Sequence, residues 1–104
     1  MEPGKLIFLK LGGSLITDKN QPLTARPNII KRAALEIKEF WEENPKIHLL
    51  IGHGSGSFGH AIADKHQTQR GGWDQKYWQG FSEVWQAARQ LNQLVVESFH
   101  QEGL

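Results

Sequence analysis

Apolar residues fall along the chain in two distinct periods. Leu6 to Leu11 (LIFLKL) is an almost continuous apolar run, the pattern of a strand buried on both faces, and Gly12-Gly13-Ser14 stops it. The polar stretch from Asp18 to Pro27, containing Asn20 and Pro22, reads as a surface loop. From Asn28, a candidate N-cap, residues Ile29, Ile30, Ala33, Ala34, Ile37, Phe40 and Trp41 recur at helical spacing until Asn44-Pro45. Ile47 to Ile51 (IHLLI) repeats the strand pattern up to Gly52. Strand, helix and strand within about 50 residues is the βαβ arrangement, so the two strands are expected to be parallel neighbours. Past a glycine-rich segment ending at Gly59, helical character from His60 to about Lys65 gives way to a break from Gln67 to Gly72. From Tyr77 onward, Trp78, Phe81, Val84, Trp85, Ala88, Leu91, Leu94, Val95 and Phe99 form the stripe of a long helix, with Gly103 as its stop.

Composition narrows the class. The 104 residues are 38% hydrophobic and 22% charged, enough to build a core and too apolar for a disordered tail. Lys and Arg number 12 against 11 Asp and Glu, and only Lys31-Arg32 are adjacent, so no basic face for nucleic acid exists. The absence of cysteine excludes a disulfide scaffold and a cysteine zinc site. No apolar run approaches the roughly 20 residues that cross a bilayer, and Met1-Glu2-Pro3-Gly4 lacks a signal peptide's apolar segment. A cytoplasmic protein without membrane or nucleic-acid partners is the expectation. Two strands buried on both faces cannot cover themselves, so the pattern reads as the opening half of a larger α/β domain.

Candidate chemistry sits at the two glycine-rich turns. In open α/β sheets ligands bind beyond the carboxyl ends of the strands, so both turns should lie on one edge. In Lys10-Leu11-Gly12-Gly13-Ser14 the glycines leave room for an anion, and Lys10 and Lys19 supply positive charge. In Gly52-His53-Gly54-Ser55-Gly56-Ser57-Phe58-Gly59-His60 the glycines lead into a helix N-terminus, which favours anions by its free N–H groups. Plainer explanations compete: a glycine pair after a strand is most often a tight turn, and glycines also permit close packing of helix and strand. The coincidence of two turns, two lysines and two histidines favours a ligand. His53 reads as an imidazole hydrogen-bonded at a strand end and His60 as an open candidate, while His48, His66 and His100 read as structural or solvated. The last helix's stripe reads mainly as core, with Trp78, Phe81 and Trp85 as the candidate exceptions.

Several known motifs fail. Gly54-x-Gly56-x-x-Gly59 matches the dinucleotide fingerprint formally, but QTQRGGWD stands where the next strand should follow. No Gly-Lys-Ser/Thr occurs, so a P-loop is excluded. His53 and His60 lack a third metal ligand at a persuasive spacing, so no protein-held metal is assigned, and any metal should arrive with phosphates.

Lys10-Leu11-Gly12-Gly13-Ser14-Leu15-Ile16-Thr17-Asp18-Lys19, combined with Gly54-x-Gly56-Ser57-Phe58-Gly59-His60, resembles the amino acid kinase family, and within it the isopentenyl phosphate kinases. The resemblance implies an α/β fold, the N-terminal part of a three-layer αβα sandwich with a mainly parallel sheet. Residues 1–104 would be the N-terminal, acceptor-binding portion of one such domain, without the C-terminal nucleotide-binding portion. The implied reaction is transfer of the ATP γ-phosphoryl group to isopentenyl phosphate, with Mg²⁺ held mainly through the phosphates. By the same resemblance Lys10, Leu11, Gly12, Gly13, Ser14 and Gly56 would accompany ATP. Lys10, Lys19 and His60 would be catalytic. Ser55, Gly59 and His60 would hold the acceptor phosphate, and Trp78, Phe81 and Trp85 would meet its prenyl tail. Family members are more than twice as long and are usually homodimers, so the chain alone is expected to lack kinase activity. The alternatives are a sister kinase acting on a phosphonate or another small acid, and a non-catalytic anion-binding module.

Overall fold

A computed structural model describes residues 4–59 and 75–104. The expected helix from His60, the break after it, and His60 and His66 themselves lie outside the described residues. Strand β1 (Leu6–Leu11) is followed by a single helical turn α1 (Gly13–Ile16), helix α2 (Pro27–Glu43), strand β2 (His48–His53) and the long helix α3 (Gln75–Gln101). The strands pair in parallel, with Leu6 opposite His48 and Leu11 opposite His53.

The strand pattern reads as burial on both faces within a larger domain, and in this chain one of the two faces is covered. On one face Leu49, Ile51 and Leu11 pack toward α2 and α3. On the other, Leu6, Phe8 and Leu50 are 67%, 62% and 56% exposed, because both long helices lie on the same side of the sheet. The described residues therefore form two layers, helices over sheet. The second strand also runs two residues beyond its expected end, since Gly52 and His53 continue the pairing with Lys10 and Leu11. Phe8 covers the bare backbone of Gly52, where an added Cβ would lie 3.4 Å from its ring.

The core is built by short repeats on the two helices. Ile30, Ala34 and Ile37 line one side of α2, and Ala87, Leu91, Val95 and Phe99 supply a strict i, i+4 ladder from α3. The expected stripes were wider: Phe40, Trp41, Trp85 and Leu94 are exposed, and Ala87 rather than Ala88 is buried. Asn28 does not cap α2. The helix starts at Pro27, whose fixed φ suits the first helical position and whose missing N–H costs nothing there. Gly103 ends α3 as expected: at φ +92° it lets its N–H reach the His100 carbonyl and the Leu104 N–H reach that of Phe99. That pair of bonds is a Schellman cap, and Leu104 closes over the core beside Phe99. No helix of the described residues is long and apolar enough to cross a membrane.

Candidate functional site

Parallel pairing puts the carboxyl ends of β1 and β2 level, with Lys10 opposite Gly52. Both glycine turns consequently leave the sheet at one end, and the Gly54 N–H donates to the Leu11 carbonyl at 3.0 Å. From there the turns interlock. A Cβ on Gly13 would collide with the backbone of Gly56, 2.7 Å from its Cα, and a Cβ on Gly54 would lie 3.0 Å from the Gly13 nitrogen. Gly56 has φ +49°, a conformation that favours glycine, and a Cβ there would strike the Thr17 hydroxyl and the Gly13 carbonyl. Close packing of backbone on backbone is thus the first reason for these three glycines. Gly12 differs, since an added Cβ would meet open space.

A buried polar stitch holds the interlocked turns. Thr17, fully buried, donates its hydroxyl to the Gly13 carbonyl at 2.6 Å and accepts the Ser57 N–H at 3.1 Å. The Ser57 carbonyl accepts the Leu23 N–H, and its hydroxyl accepts the Thr24 N–H at 3.3 Å, tying in the loop that carries Lys19. That loop is closed at its base by the Thr17–Ala25 bridge, and just inside it the Asp18 carboxylate accepts the Asn20 N–H at 2.9 Å. With its oxygen committed there, Asp18 presents Lys19 in a defined turn.

Between the turns and the Lys19 loop lies a cavity of about 580 Å³. Of the residues singled out from sequence, Lys10, Gly13, Ser14, Lys19, Ser55 and Gly56 line it. Gly54 and Ser57, part of the second turn but given no role of their own, line it as well, as do Asn20 and Pro22, which were read only as loop. The Lys10 and Lys19 ammonium groups have no ion-pair partner among the described residues. Nor do the N–H groups of Gly13, Ser14, Ser55 and Gly56 have an acceptor there. Two unpaired cations and a set of uncommitted backbone donors around one cavity match a ligand rich in anionic oxygen, such as a chain of phosphates. Among the described residues no three His, Cys, Asp or Glu side chains gather to hold a metal ion.

Other candidates lie elsewhere. The Leu11 side chain is buried in the core, because it sits on the helix-covered face of β1, so a contact with a phosphate ligand through that side chain is excluded. Gly12 is exposed at the start of α1, outside the cavity lining. Gly59 is buried against Ser55, where a Cβ would meet the serine hydroxyl. Trp78, Phe81 and Trp85 are exposed on α3 and do not line the cavity. The first two rings meet edge-on at 5.8 Å, and the Arg89 guanidinium lies 5.6 Å from the centre of the Trp85 ring. His53 is engaged as expected for a strand-end imidazole, its Nδ1 lying 2.8 Å from the Gly54 carbonyl. The polar stitch of Thr17, Ser57 and Thr24 was missed, since isolated hydroxyl residues carry no pairing signal at a sequence separation of 33 to 40.

A model of the amino acid kinase family matches residues 5–104. The chain belongs to the amino acid kinase family. Within that family it is 35% identical, over 101 residues, to a curated isopentenyl phosphate kinase of Methanocaldococcus jannaschii, a match covering 89% of this chain and 38% of that protein. A second isopentenyl phosphate kinase, from Methanothermobacter thermautotrophicus, is 41% identical over 64 residues, covering 60% of this chain and 22% of that protein. Among solved structures, the product complex of T. acidophilum isopentenyl phosphate kinase superposes with a TM-score of 0.78 at 29% identity, over 96% of this chain and 40% of that one. The chain therefore spans about two fifths of the length of the kinases it matches. The likeness extends to the architecture, an α/β arrangement with parallel strands of the amino acid kinase type.

Proposed function

We propose that this chain is the N-terminal, acceptor-binding portion of an ATP-dependent kinase that converts isopentenyl phosphate to isopentenyl diphosphate, a step of isoprenoid biosynthesis. The observation that carries the reading is the convergence of Lys10, Lys19 and both glycine turns on one cavity, and the similarity to isopentenyl phosphate kinases selects the acceptor. In the reaction an oxygen of the acceptor phosphate attacks the γ-phosphorus of ATP, the bond from that phosphorus to the β-phosphate oxygen breaks, and ADP leaves. The attacking oxygen is already ionised, so the protein's task is positioning and charge stabilisation rather than proton removal.

Lys10, with the backbone of Gly12, Gly13 and Ser14, runs along the ATP phosphates. Lys19 meets the charge on the transferring group. Ser55 and Gly56 lie between donor and acceptor, and Gly59 and His60 hold the acceptor phosphate. Trp78, Phe81 and Trp85 offer apolar surface to the five-carbon tail. Mg²⁺ would be held mainly through the phosphates, where it would neutralise part of their charge. The whole kinase acts as a homodimer in the cytoplasm.

The test is a chimera in which residues 1–104 replace the corresponding part of the Methanocaldococcus jannaschii kinase. It should form isopentenyl diphosphate and ADP in equal amounts, and His60→Ala should abolish acceptor binding. A folded chimera that phosphorylates a phosphonate or another small acid but leaves isopentenyl phosphate untouched would replace the proposed acceptor. Anion binding without any turnover would make the site a non-catalytic module.

A further inference from the structure

We propose that His53 is a positioning residue that aims the Ser55 N–H into the phosphate cavity and is itself locked by Asn92 of α3. The inference rests on the cavity being a phosphate site and assigns a role to a pair that the proposed reaction leaves unused.

The proton positions follow from chemistry. The Gly54 carbonyl can only accept, so the His53 Nδ1 at 2.8 Å from it must carry the hydrogen. In a neutral ring the Nε2 is then a bare acceptor, and the Asn92 amide nitrogen stands 3.0 Å from it as donor. Both bonds are satisfied by a single tautomer, the one with the proton on Nδ1.

The consequence passes through a peptide plane. All peptide bonds among the described residues are trans, and in a trans peptide the N–H points opposite to the preceding carbonyl. Holding the Gly54 carbonyl toward His53 therefore turns the Ser55 N–H away from it. Ser55 lines the cavity, and its N–H has no acceptor among the described residues. A glycine preceding Ser55 would otherwise leave this plane free to rotate, and a donor that rotates binds an anion less well than one already aimed. Asn92 follows Leu91, a fully buried residue, so the anchor stands on a rigid part of α3. The same helix carries Trp78, Phe81 and Trp85, which links the phosphate turn to the surface proposed for the acceptor tail.

The experiment uses the 104-residue chain with inorganic pyrophosphate as probe. Nitrogen-15 spectra of the His53 ring should show a protonated Nδ1 and a bare Nε2, and pyrophosphate should shift the Ser55 amide signal. Asn92→Leu should scramble the ring tautomers and weaken pyrophosphate binding about three- to tenfold, the worth of one aimed donor. His53→Leu should weaken it similarly, whereas His53→Asn, which keeps a donor near the Nδ1 position, should retain most of the affinity. Urea midpoints measured alongside should stay within the range of the unmodified chain, separating lost aim from lost fold. An Nε2-protonated His53, or variants that bind pyrophosphate as tightly as the unmodified chain, would overturn the positioning role while leaving the phosphate site intact. An unmodified chain that ignores pyrophosphate would overturn both readings.

Discussion

Replacing Thr17 with valine swaps a hydroxyl for a methyl group of nearly the same shape and so isolates the polar stitch between the glycine turns. Two bonds vanish: the one to the Gly13 carbonyl at 2.6 Å and the one from the Ser57 N–H at 3.1 Å. Their costs differ. The Gly13 carbonyl keeps the Thr17 backbone N–H at 3.0 Å and is not orphaned. The Ser57 N–H, in a residue only 7% exposed, has no second acceptor among the described residues and is left unsatisfied. An orphaned buried donor costs about 1–3 kcal/mol and a lost ordinary hydrogen bond about 1 kcal/mol, so Thr17→Val should destabilise the chain by about 2–4 kcal/mol. Thr17→Ser keeps both bonds and loses one buried methyl, which costs about 1 kcal/mol. Urea unfolding followed by tryptophan fluorescence would measure both, each read as a shift of midpoint at constant slope. A valine variant within about 0.5 kcal/mol of the unmodified chain, or a serine variant less stable than the valine one, would refute the assignment of the stitch.

The glycines give a graded series. Gly56→Ala, which combines φ +49° with a collision against Thr17 and Gly13, should cost more than about 2 kcal/mol, whereas Gly12→Ala, facing open space, should stay within about 0.5 kcal/mol by the same urea measurement. Lys19→Ala should leave stability unchanged, since the side chain is exposed, yet in the chimeric kinase it should lower kcat far more than it weakens ATP binding. Lys10→Ala should reduce pyrophosphate affinity of the chain, measured by calorimetry, and the loss should shrink at high salt, as screening of a surface cation requires. Trp85→Ala should remove a 60% exposed ring with little change in stability, and in the chimera should raise KM for isopentenyl phosphate while sparing kcat if the prenyl tail lies there.

Much of the fold was legible because period and punctuation agree along this chain. The apolar runs at Leu6–Leu11 and from Ile47, each short and closed by glycine, read as strands, and the intervening helix makes them parallel. The differences in burial share one cause. Periodicity reports that a residue is apolar, but which apolar residues are covered depends on what the chain folds against. Leu6, Phe8 and Leu50 carry the pattern of a covered face, and within these 104 residues both long helices pack on the opposite face. For the candidate site, the lysines and glycines were visible as residue types suited to anions. That the glycines also interlock, and that Thr17 and Ser57 join the turns, could not be read along the chain. These contacts connect residues about 40 positions apart, whose identity as small polar residues is unremarkable at either end.

The interlocked turns constrain how this sequence can vary. A side chain at Gly13 needs space that the Gly56 backbone fills, and a side chain at Gly56 needs space that Thr17 and Gly13 fill, so neither position can change alone. A larger residue at Gly13 or Gly56 would need compensating change in the facing turn, whereas Thr17→Ser fits without it. The two turns therefore constrain each other by geometry, a demand on their glycines that stands apart from any demand of a ligand.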